Sequence, residues 1–239
     1  MVVKADTGQQ VWVSRLPGVA EFRAFALYDD LPNREKTIEV LKYLSAIGRS
    51  AAGYFLDQSY LPDKLYATAD EIDTPMPLDL PPVEIFKVSY NAFMVTERCA
   101  NILRKFDLGE VNVLRSCDLY AVDKTTLLPE KYYFFYFENC KNAFSLEHSL
   151  RYDVHYALYD NGKKSWRLKT PPQDNDISVT AAALEGEDLW IDSDIGGPIL
   201  SIFVSDALAQ ALKSAGVAKI GCFIAFQSCK LKRNLKGVE

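Results

Sequence analysis

Apolar and polar residues follow the same order in two segments of the chain, 93–114 and 202–223. The first reads FMVTERCANILRKFDLGEVNVL, the second reads IFVSDALAQALKSAGVAKIGCF, and the two align without a gap. Three aligned pairs are identical: Val95/Val204, Ala100/Ala209 and Leu103/Leu212. Each segment predicts a short strand, a helix of about ten residues and a returning strand. An internal repeat of this kind predicts two related strand–helix–strand units.

A hydroxyl residue followed by an acidic residue marks the predicted start of each helix, Thr96-Glu97 in the first copy and Ser205-Asp206 in the second. The hydroxyl oxygen can accept a hydrogen bond from a free amide of the first turn, and the acid opposes the positive end of the helix dipole. The predicted turns into the returning strands are Leu108-Gly109 and Gly216-Val217. Because the matched positions are caps, core residues and turns, we interpret the repeat as a scaffold and expect function outside it.

The insert between the two copies is rich in predicted strands. Residues 132–137 read YYFFYF, and a run of six aromatic residues predicts a strand buried on both faces. An aromatic platform for nucleic-acid bases is the alternative, but such platforms carry interleaved Lys and Arg, which are absent here. Further on, Asn161-Gly162 suits the positive φ angles of a tight turn and predicts a hairpin that joins 155–159 to 165–168.

The first 83 residues differ from the rest. Apolar residues at short intervals predict one or two edge strands within 1–30, and an apolar spacing of three residues predicts a helix at 33–49. Five prolines within 57–83 predict a long irregular connection. We therefore divide the chain into 1–83, with strands, a helix and a Pro-rich connection, and 84–239, which contains the repeat.

The predicted fold class is α+β. Two related strand–helix–strand units share one core, with a β-rich hairpin insert between them, and the whole chain forms one compact unit.

The composition is typical of a soluble globular protein, since 49% of the 239 residues are apolar and 25% are charged. The first residues contain no apolar segment long enough for a signal peptide, and no uncharged apolar run approaches the roughly 20 residues of a membrane span. The five cysteines have no CxxC spacing, which favours reduced, mostly buried thiols. We therefore expect a cytoplasmic protein that does not act at a membrane.

Acidic residues are concentrated in two stretches without Lys or Arg, one between Lys64 and Lys87 and one between Lys169 and Lys213. The second stretch holds Asp174, Asp176, Glu185, Glu187, Asp188, Asp192, Asp194 and Asp206. A set of solvated loops is the simpler interpretation, whereas a negative surface that steers a basic partner is the functional one. Nucleic-acid binding is disfavoured, because phosphates need a basic surface and the net charge is −5.

No catalytic or metal-binding motif has the spacing that a known mechanism requires. The two histidines, His148 and His155, have no metal-type partner three or four residues away. Cys140 and His148 could act as nucleophile and base only if the fold brings them together. The carboxylates of residues 188–194 lack the rest of a calcium loop. We therefore expect no enzyme activity, no cofactor and no metal.

An aromatic strand, the polar loop Glu147-His148-Ser149, an apolar strand ending in Val204-Ser205-Asp206, and a helix with a Gly-containing return at 216–223 follow one another in this chain. In these features the chain resembles the immunity protein 11 family, once a domain of unknown function. FMVTERCANILRKF fits the family's N-terminal half, so the resemblance covers most of residues 84–226. In this family the aromatic strand is expected to end in a polar residue such as Asn, which Asn139 fits.

The resemblance implies a bacterial protein that neutralises a secreted toxin of a polymorphic toxin system by stoichiometric binding rather than by turnover. The partner would be a cognate toxin domain, and the acidic loops favour a basic one. The residues expected to bind it are Asp174, Asp176, Glu185, Glu187, Asp188, Trp190, Asp192 and Asp194. For Trp190, packing in the core is the alternative to a role as an apolar anchor.

Two other functions stay open at this point. One is an enzyme of unrecognised type that uses Cys140 or the carboxylates of Asp192 and Asp194. The other is a regulatory module that binds a housekeeping protein. A multidomain toxin gene immediately upstream would favour immunity over the regulatory module.

Overall fold

The computed structural model describes residues 10–15, 25–26, 63–67, 84–89, 92–110, 112–121, 123–150, 152–156, 164–168, 174–195, 201–217 and 225–231. Within these ranges the chain consists mostly of strands and contains two α-helices, so the predicted α+β class is confirmed. The strands are β1 (Val11–Arg15), β2 (Phe25–Ala26), β3 (Lys64–Ala67), β4 (Ile85–Ser89), β5 (Ala92–Thr96), β6 (Asn112–Tyr120), β7 (Tyr132–Phe137), β8 (Cys140–Lys141), β9 (Tyr152–Tyr156), β10 (Lys164–Leu168), β11 (Ser178–Val179), β12 (Leu189–Asp192), β13 (Ser201–Ser205) and β14 (Ala225–Leu231). The helices are α1 (Glu97–Leu103) and α2 (Asp206–Ser214). Neither helix is long and apolar enough to cross a membrane, and the same holds for every helix of the described part.

The first sheet contains six strands in the order β11, β14, β1, β13, β12, β8. Strand β1 pairs antiparallel with both β13 and β14, so it lies in the middle of the sheet. The prediction of an edge strand here is therefore wrong, because two strands from the far end of the chain cover both of its sides. Val11 and Val13 are each only 1% exposed. The boundary predicted at residue 83 stays a prediction, although β1 joins the first range to a sheet of the second.

The two edges of the first sheet meet. The amide of Ser145 donates to the carbonyl of Ser178, and the amide of Thr180 donates to the carbonyl of Ala143, both at 2.8 Å. These bonds join the segment after β8 to β11, so the curled sheet closes into a ring. A cluster of buried side chains lies on its inner face: Val11, Val13, Ala143, Phe144, Ile177, Val179, Ala183, Trp190, Phe203 and Cys229.

The second sheet contains six strands in the order β2, β3, β6, β7, β5, β4. Strand β7 is the aromatic run; it pairs antiparallel with β5 and β6, and all six of its residues are buried, which confirms the predicted burial of both faces. Strand β2 lies at an edge, as predicted. The irregular connection predicted for 57–83 is wrong at one place, because β3 lies within it and pairs parallel with β6. Pro62 and Pro75 flank this strand, so no proline interrupts its hydrogen bonds.

Strands β9 and β10 pair antiparallel, which confirms the predicted pairing of these two segments, but β9 begins at Tyr152 and its Tyr156 lies opposite Lys164, so the register differs from that of a two-residue turn at Asn161-Gly162. Tyr152 and Trp166 from these strands pack against the inner face of the ring. Three predictions fall outside the described residues: the hairpin turn at Asn161-Gly162, the helix at 33–49 and the second returning strand within 218–223.

Both predicted helix caps are confirmed. The hydroxyl oxygen of Thr96 accepts a hydrogen bond from the Cys99 amide at 3.3 Å, and that of Ser205 accepts one from the Leu208 amide at 3.2 Å. The helices bury one stripe each: Cys99, Ala100 and Leu103 on α1, and Leu208, Ala209 and Leu212 on α2. One cluster of buried residues contains these stripes together with side chains from both six-stranded sheets. The two helices thus lie in a core to which both sheets contribute.

Candidate functional site

The eight residues predicted to bind a partner lie in three places. Asp174 and Asp176 precede β11 and lie beside β14, residues 185–188 form the loop before β12, and residues 190–194 form β12 and the turn after it. The structure therefore divides the predicted site, and the three places differ in burial and in hydrogen bonding.

Beside β14, the Asp174 side chain and the Asp176 main chain make hydrogen bonds within the fold. The carboxylate of Asp174 accepts hydrogen bonds from the Ser228 amide at 2.7 Å and from the Ser228 hydroxyl at 2.9 Å. These bonds, that of the amide first, lower the pKa of Asp174. Asp176 is buried, and its carbonyl accepts a hydrogen bond from the Leu150 amide at 2.8 Å. Asp174 remains exposed, but its carboxylate is already hydrogen-bonded to Ser228.

On β12, the predicted residues lie inside the protein. Trp190 is 1% exposed and stacks on Phe203 with ring centroids 5.8 Å apart, as the alternative of core packing requires. Asp192 is 3% exposed, and its carboxylate accepts hydrogen bonds from the amides of Ala143, Phe144 and Asp194 at 2.8–3.0 Å. Burial raises the pKa of Asp192, while these amides act in the opposite direction. Trp190 and Asp192 are therefore inaccessible to a partner in this structure.

The loop before β12 folds around the ammonium group of Lys141, a residue of β8. The Lys141 Nζ atom donates hydrogen bonds to the carbonyls of Glu185 and Glu187, the latter at 2.8 Å, and lies 4.0 Å from the centroid of the Trp190 ring. The Lys141 side chain is only 10% exposed. A buried ammonium needs such partners, because moving a charge out of water is costly.

Four carboxylates are near enough to this ammonium to influence it electrostatically, those of Asp107, Glu185, Glu187 and Asp188. The nearest measured contact joins Lys141 Nζ to Glu187 Oε2 at 3.9 Å. Burial lowers the pKa of Lys141, and the four carboxylates act in the opposite direction. Asp107 and Glu185 are exposed, and Glu187 and Asp188 are partly exposed, so negative charge faces solvent. We call Lys141 and these four residues the Lys141 cluster.

Asp188 connects this loop to both copies of the repeat. Its amide donates to the Asp107 carbonyl at 2.8 Å, and its carboxylate accepts from the Asp107 amide at 2.9 Å. Its carbonyl accepts from the amide of Ser205, the cap of α2, at 2.8 Å. Because Asp107 follows α1 and Ser205 precedes α2, the acidic loop is tied to the end of one helix and the start of the other.

Asn139 fixes the turn that carries Asp107. Its side-chain amide donates to the carbonyls of Leu108 and Leu189, at 2.7 and 2.8 Å. Gly109 has a φ of +80°, and a Cβ atom there would lie 2.0 Å from the Asn139 Oδ1 atom. The turn after α1 and strand β12 are thereby held at a fixed separation next to the Lys141 cluster.

Sequence reasoning missed Asp107, Lys141 and Asn139. The acidic stretch was defined by the absence of basic residues, and Asp107 lies close to Arg104 and Lys105 in sequence. Lys141 belongs to a different strand from the loop that surrounds it. A signal for Asn139 did exist, as the polar residue expected after the aromatic strand, but its two carbonyl partners lie 31 and 50 residues away.

The candidate catalytic groups Cys140 and His148 lie in different elements, Cys140 on β8 and His148 in a 3-10 turn at Leu146–His148. The Nδ1 atom of His148 lies 3.1 Å from the Ser145 hydroxyl and 4.0 Å from the Glu147 carboxylate, both residues of its own turn. Cys140 is exposed on β8, opposite Ile191. In the part of the chain that the structure describes, no group of three His, Cys, Asp or Glu residues could hold a metal ion. His155 lies in β9.

The buried thiols agree with the prediction from cysteine spacing for three of the four described cysteines. Cys99, Cys117 and Cys229 are buried, whereas Cys140 is exposed, and Cys222 falls outside the described residues. Burial raises the pKa of Cys99 to about 12. A thiol with so high a pKa is inert at neutral pH, because the thiolate is the reactive form.

Comparison with known proteins adds no family: the chain matches no protein-family model and no curated protein. Fixed carboxylates at a surface can bind the ammonium or guanidinium groups of another molecule through charge-assisted hydrogen bonds.

Proposed function

We propose that this protein is a cytoplasmic immunity protein that binds a cognate secreted bacterial toxin and neutralises it by stoichiometric inhibition. The observation that carries the proposal is the Lys141 cluster, which gathers four acidic residues from two distant parts of the chain at one exposed place. The resemblance to the immunity protein 11 family supplies the class of partner, a toxin domain, and the charge of the cluster favours a basic one.

The binding surface that we propose is smaller than the predicted set and includes one new residue. It consists of Asp107, Glu185, Glu187, Asp188 and Asp194, all exposed or partly exposed. The other four predicted residues are not part of this surface. Trp190 and Asp192 lie in the core, and Asp174 and Asp176 lie beside β14. Clustered charge of one sign accelerates the encounter with an oppositely charged partner, which suits an inhibitor that competes with the toxin's substrate.

The two strand–helix–strand segments form part of the same proposal, as related units that share one core. Their helices begin with the same local geometry, since Thr96 has φ −65° and ψ 162° while Ser205 has φ −64° and ψ 159°. Side chains from both helices lie in one buried cluster. In this arrangement the repeat supplies the scaffold, and the acidic loop between the units binds the partner.

The test is co-expression with the C-terminal domain encoded by the gene immediately upstream. We expect this protein to restore growth to cells that produce the domain and to co-purify with it in a one-to-one complex. Co-purification without rescue would indicate a regulatory binding module instead. If the protein neither restores growth nor co-purifies with the domain, the proposal is contradicted.

Charge reversal locates the surface. The double variant Glu185→Lys and Asp194→Lys should lower the association rate about tenfold at low salt, with a smaller effect at high salt, because steering by charge is screened. The control is Glu130→Lys, which reverses one charge before the start of β7, whereas Asn139 follows the end of this strand, whose six residues span about 20 Å. An unchanged association rate in the double variant, measured by surface plasmon resonance, would place the interface elsewhere.

A further inference from the structure

We infer that Lys141 is the positioning residue of this acidic surface: its buried ammonium folds the loop 185–188 and so fixes the carboxylates that face the partner. The inference rests on the proposed function for the identity of the partner. The ordering of the loop by Lys141, however, can be measured in the protein alone.

Main-chain geometry is the first argument. Two carbonyls of a four-residue loop, those of Glu185 and Glu187, converge on one Nζ atom. Between them lies Gly186 with a φ of +70°, a conformation that favours glycine. Nothing lies within 4 Å of where a Cβ of Gly186 would be, so the backbone turn rather than lack of space requires the glycine. The loop therefore wraps around the cation.

Charge is the second argument. Four carboxylates lie close enough to Lys141 to oppose the loss of its proton, and they repel one another. With the ammonium removed, two carbonyls lose a charged donor and four negative charges lose a nearby cation. Unpaired carbonyls and like charges both favour an open loop that water can enter. The ammonium thus stabilises the closed loop.

Strand β8 gives Lys141 its fixed position. Lys141 pairs in register with Asp192 of β12, and its ammonium lies over the ring of Trp190. Both neighbours are buried, so the Cα end of the Lys141 side chain lies in the core, and its ammonium lies against the loop 185–188. A lysine anchored in this way can order a loop that has few apolar contacts of its own.

The inferred role of Lys141 and net charge alone predict opposite effects of a Lys141 substitution on the affinity for the partner. Replacing Lys141 by Met makes the surface more negative, so by charge alone a basic partner should bind faster and more tightly. If Lys141 positions the loop, the same variant should bind more weakly, because the carboxylates must first be ordered. Whether Lys141→Met binds the partner more weakly or more tightly than the wild-type protein therefore separates the two explanations.

The first experiment measures hydrogen exchange in the full-length protein without a partner. In Lys141→Met the amide of Asp188, which donates to the Asp107 carbonyl, should exchange about tenfold faster or more, whereas the amides of β7 should keep their protection. Lys141→Arg should restore most of the protection. The control Lys131→Met removes the same charge from an exposed ion pair with Glu97 and should leave Asp188 unchanged.

Unchanged exchange at Asp188 in Lys141→Met would overturn the inference, whatever the partner proves to be. Should Lys141→Met fail to fold, Lys141→Gln takes its place with the same expectation, since its amide can donate to a carbonyl but carries no charge.

The second experiment uses the co-purified toxin domain and measures both rate constants over a range of salt concentrations. We expect Lys141→Met to raise the dissociation rate about tenfold while the association rate does not fall. Tighter binding by Lys141→Met would show that net charge alone acts, and would overturn the inference. If the domain does not bind the wild-type protein, the proposed function fails, and the exchange experiment still decides the role of Lys141.

Discussion

The two copies of the repeat begin their helices with the same backbone and place different side chains around it. In the first copy the Thr96 hydroxyl, besides capping α1, donates to the carboxylate of Glu84, which is 5% exposed and paired with Arg98. In the second copy Ser205 caps α2, and the next residue, Asp206, accepts a hydrogen bond from the Trp12 indole at 2.7 Å. One cap is thus part of a buried ionic group, and the other lies beside a bond to the N-terminal strand.

The turns after the helices differ in the same way. Gly109 and Gly216 both have positive φ, +80° and +75°. A side chain on Gly109 would strike Asn139, whereas nothing lies within 4 Å of the position of a Cβ on Gly216. The two glycines do not align in the repeat, since Gly216 matches Asp107, yet each supplies a positive φ in the turn after its helix. The free energy that depends on each turn comes from neighbours that the shared pattern does not contain.

Substitutions in the two turns should give the largest difference in stability between the two copies. Gly216→Ala should destabilise the protein by about 1 kcal/mol, the cost of a side chain in a left-handed conformation. Gly109→Ala carries the same cost and also displaces the Asn139 side chain from two buried carbonyls, so we expect about 3–4 kcal/mol in total. Urea unfolding, followed by fluorescence, measures both.

The variant Asn139→Ala separates the two contributions at Gly109. In that background the clash disappears, so Gly109→Ala should cost about as much as Gly216→Ala. Equal costs of the two glycine variants in the wild-type background would mean that the contact with Asn139 does not matter.

Substitutions at the two helix caps should give the next largest difference in stability between the two copies. Ser205→Ala loses one capping bond and should cost about 1 kcal/mol. Thr96→Ala loses a comparable bond and also leaves the buried Glu84 carboxylate without its hydroxyl donor, so we expect about 2–3 kcal/mol. Thr96→Ser keeps the hydroxyl and should recover most of the loss. If the two alanine variants are equally destabilised in thermal melts, the Glu84 contact contributes nothing.

Local features could be predicted from the sequence because their physics is local. Thr96 and Ser205 act on amides three residues away, and the run from Tyr132 to Phe137 is apolar enough to need burial on both faces. Strand β3 escaped prediction because prolines on both sides of it gave the whole region an irregular composition.

Features that join distant parts of the chain could not be predicted. The central place of β1 depends on strands that lie near the other end of the chain. In the candidate site, Glu185 and Asp188 were identified from their charge, but the residue that holds them, Lys141, was not. Composition reports how much charge a stretch carries, whereas the position of a counter-charge is a property of the fold.

The first-turn acid of the first copy should give the smallest effect, seen as a dependence on pH. Glu97 accepts hydrogen bonds from Lys131 at 2.9 Å and from the Tyr133 hydroxyl at 3.1 Å, and these bonds, that of Lys131 first, lower the pKa of Glu97 below its ordinary value of 4.5. A carboxyl group whose pKa is lowered by folding stabilises the folded state above its ordinary pKa, and this stabilisation is lost as the pH falls through the folded value. The wild-type protein should therefore lose more stability than Glu97→Gln between pH 6 and about pH 3, and the two curves should converge at the acid end.

The effect is small because Glu97 is partly exposed to water, which screens its ion pair. Urea midpoints at a series of pH values measure it. In Lys131→Met the main cause of the lowered pKa is absent, so the additional change Glu97→Gln should alter the pH dependence less than it does in the wild-type background. Parallel curves for the wild-type protein and Glu97→Gln would mean that ionisation of this acid adds no stability, either through Lys131 and Tyr133 or through the positive end of the helix dipole.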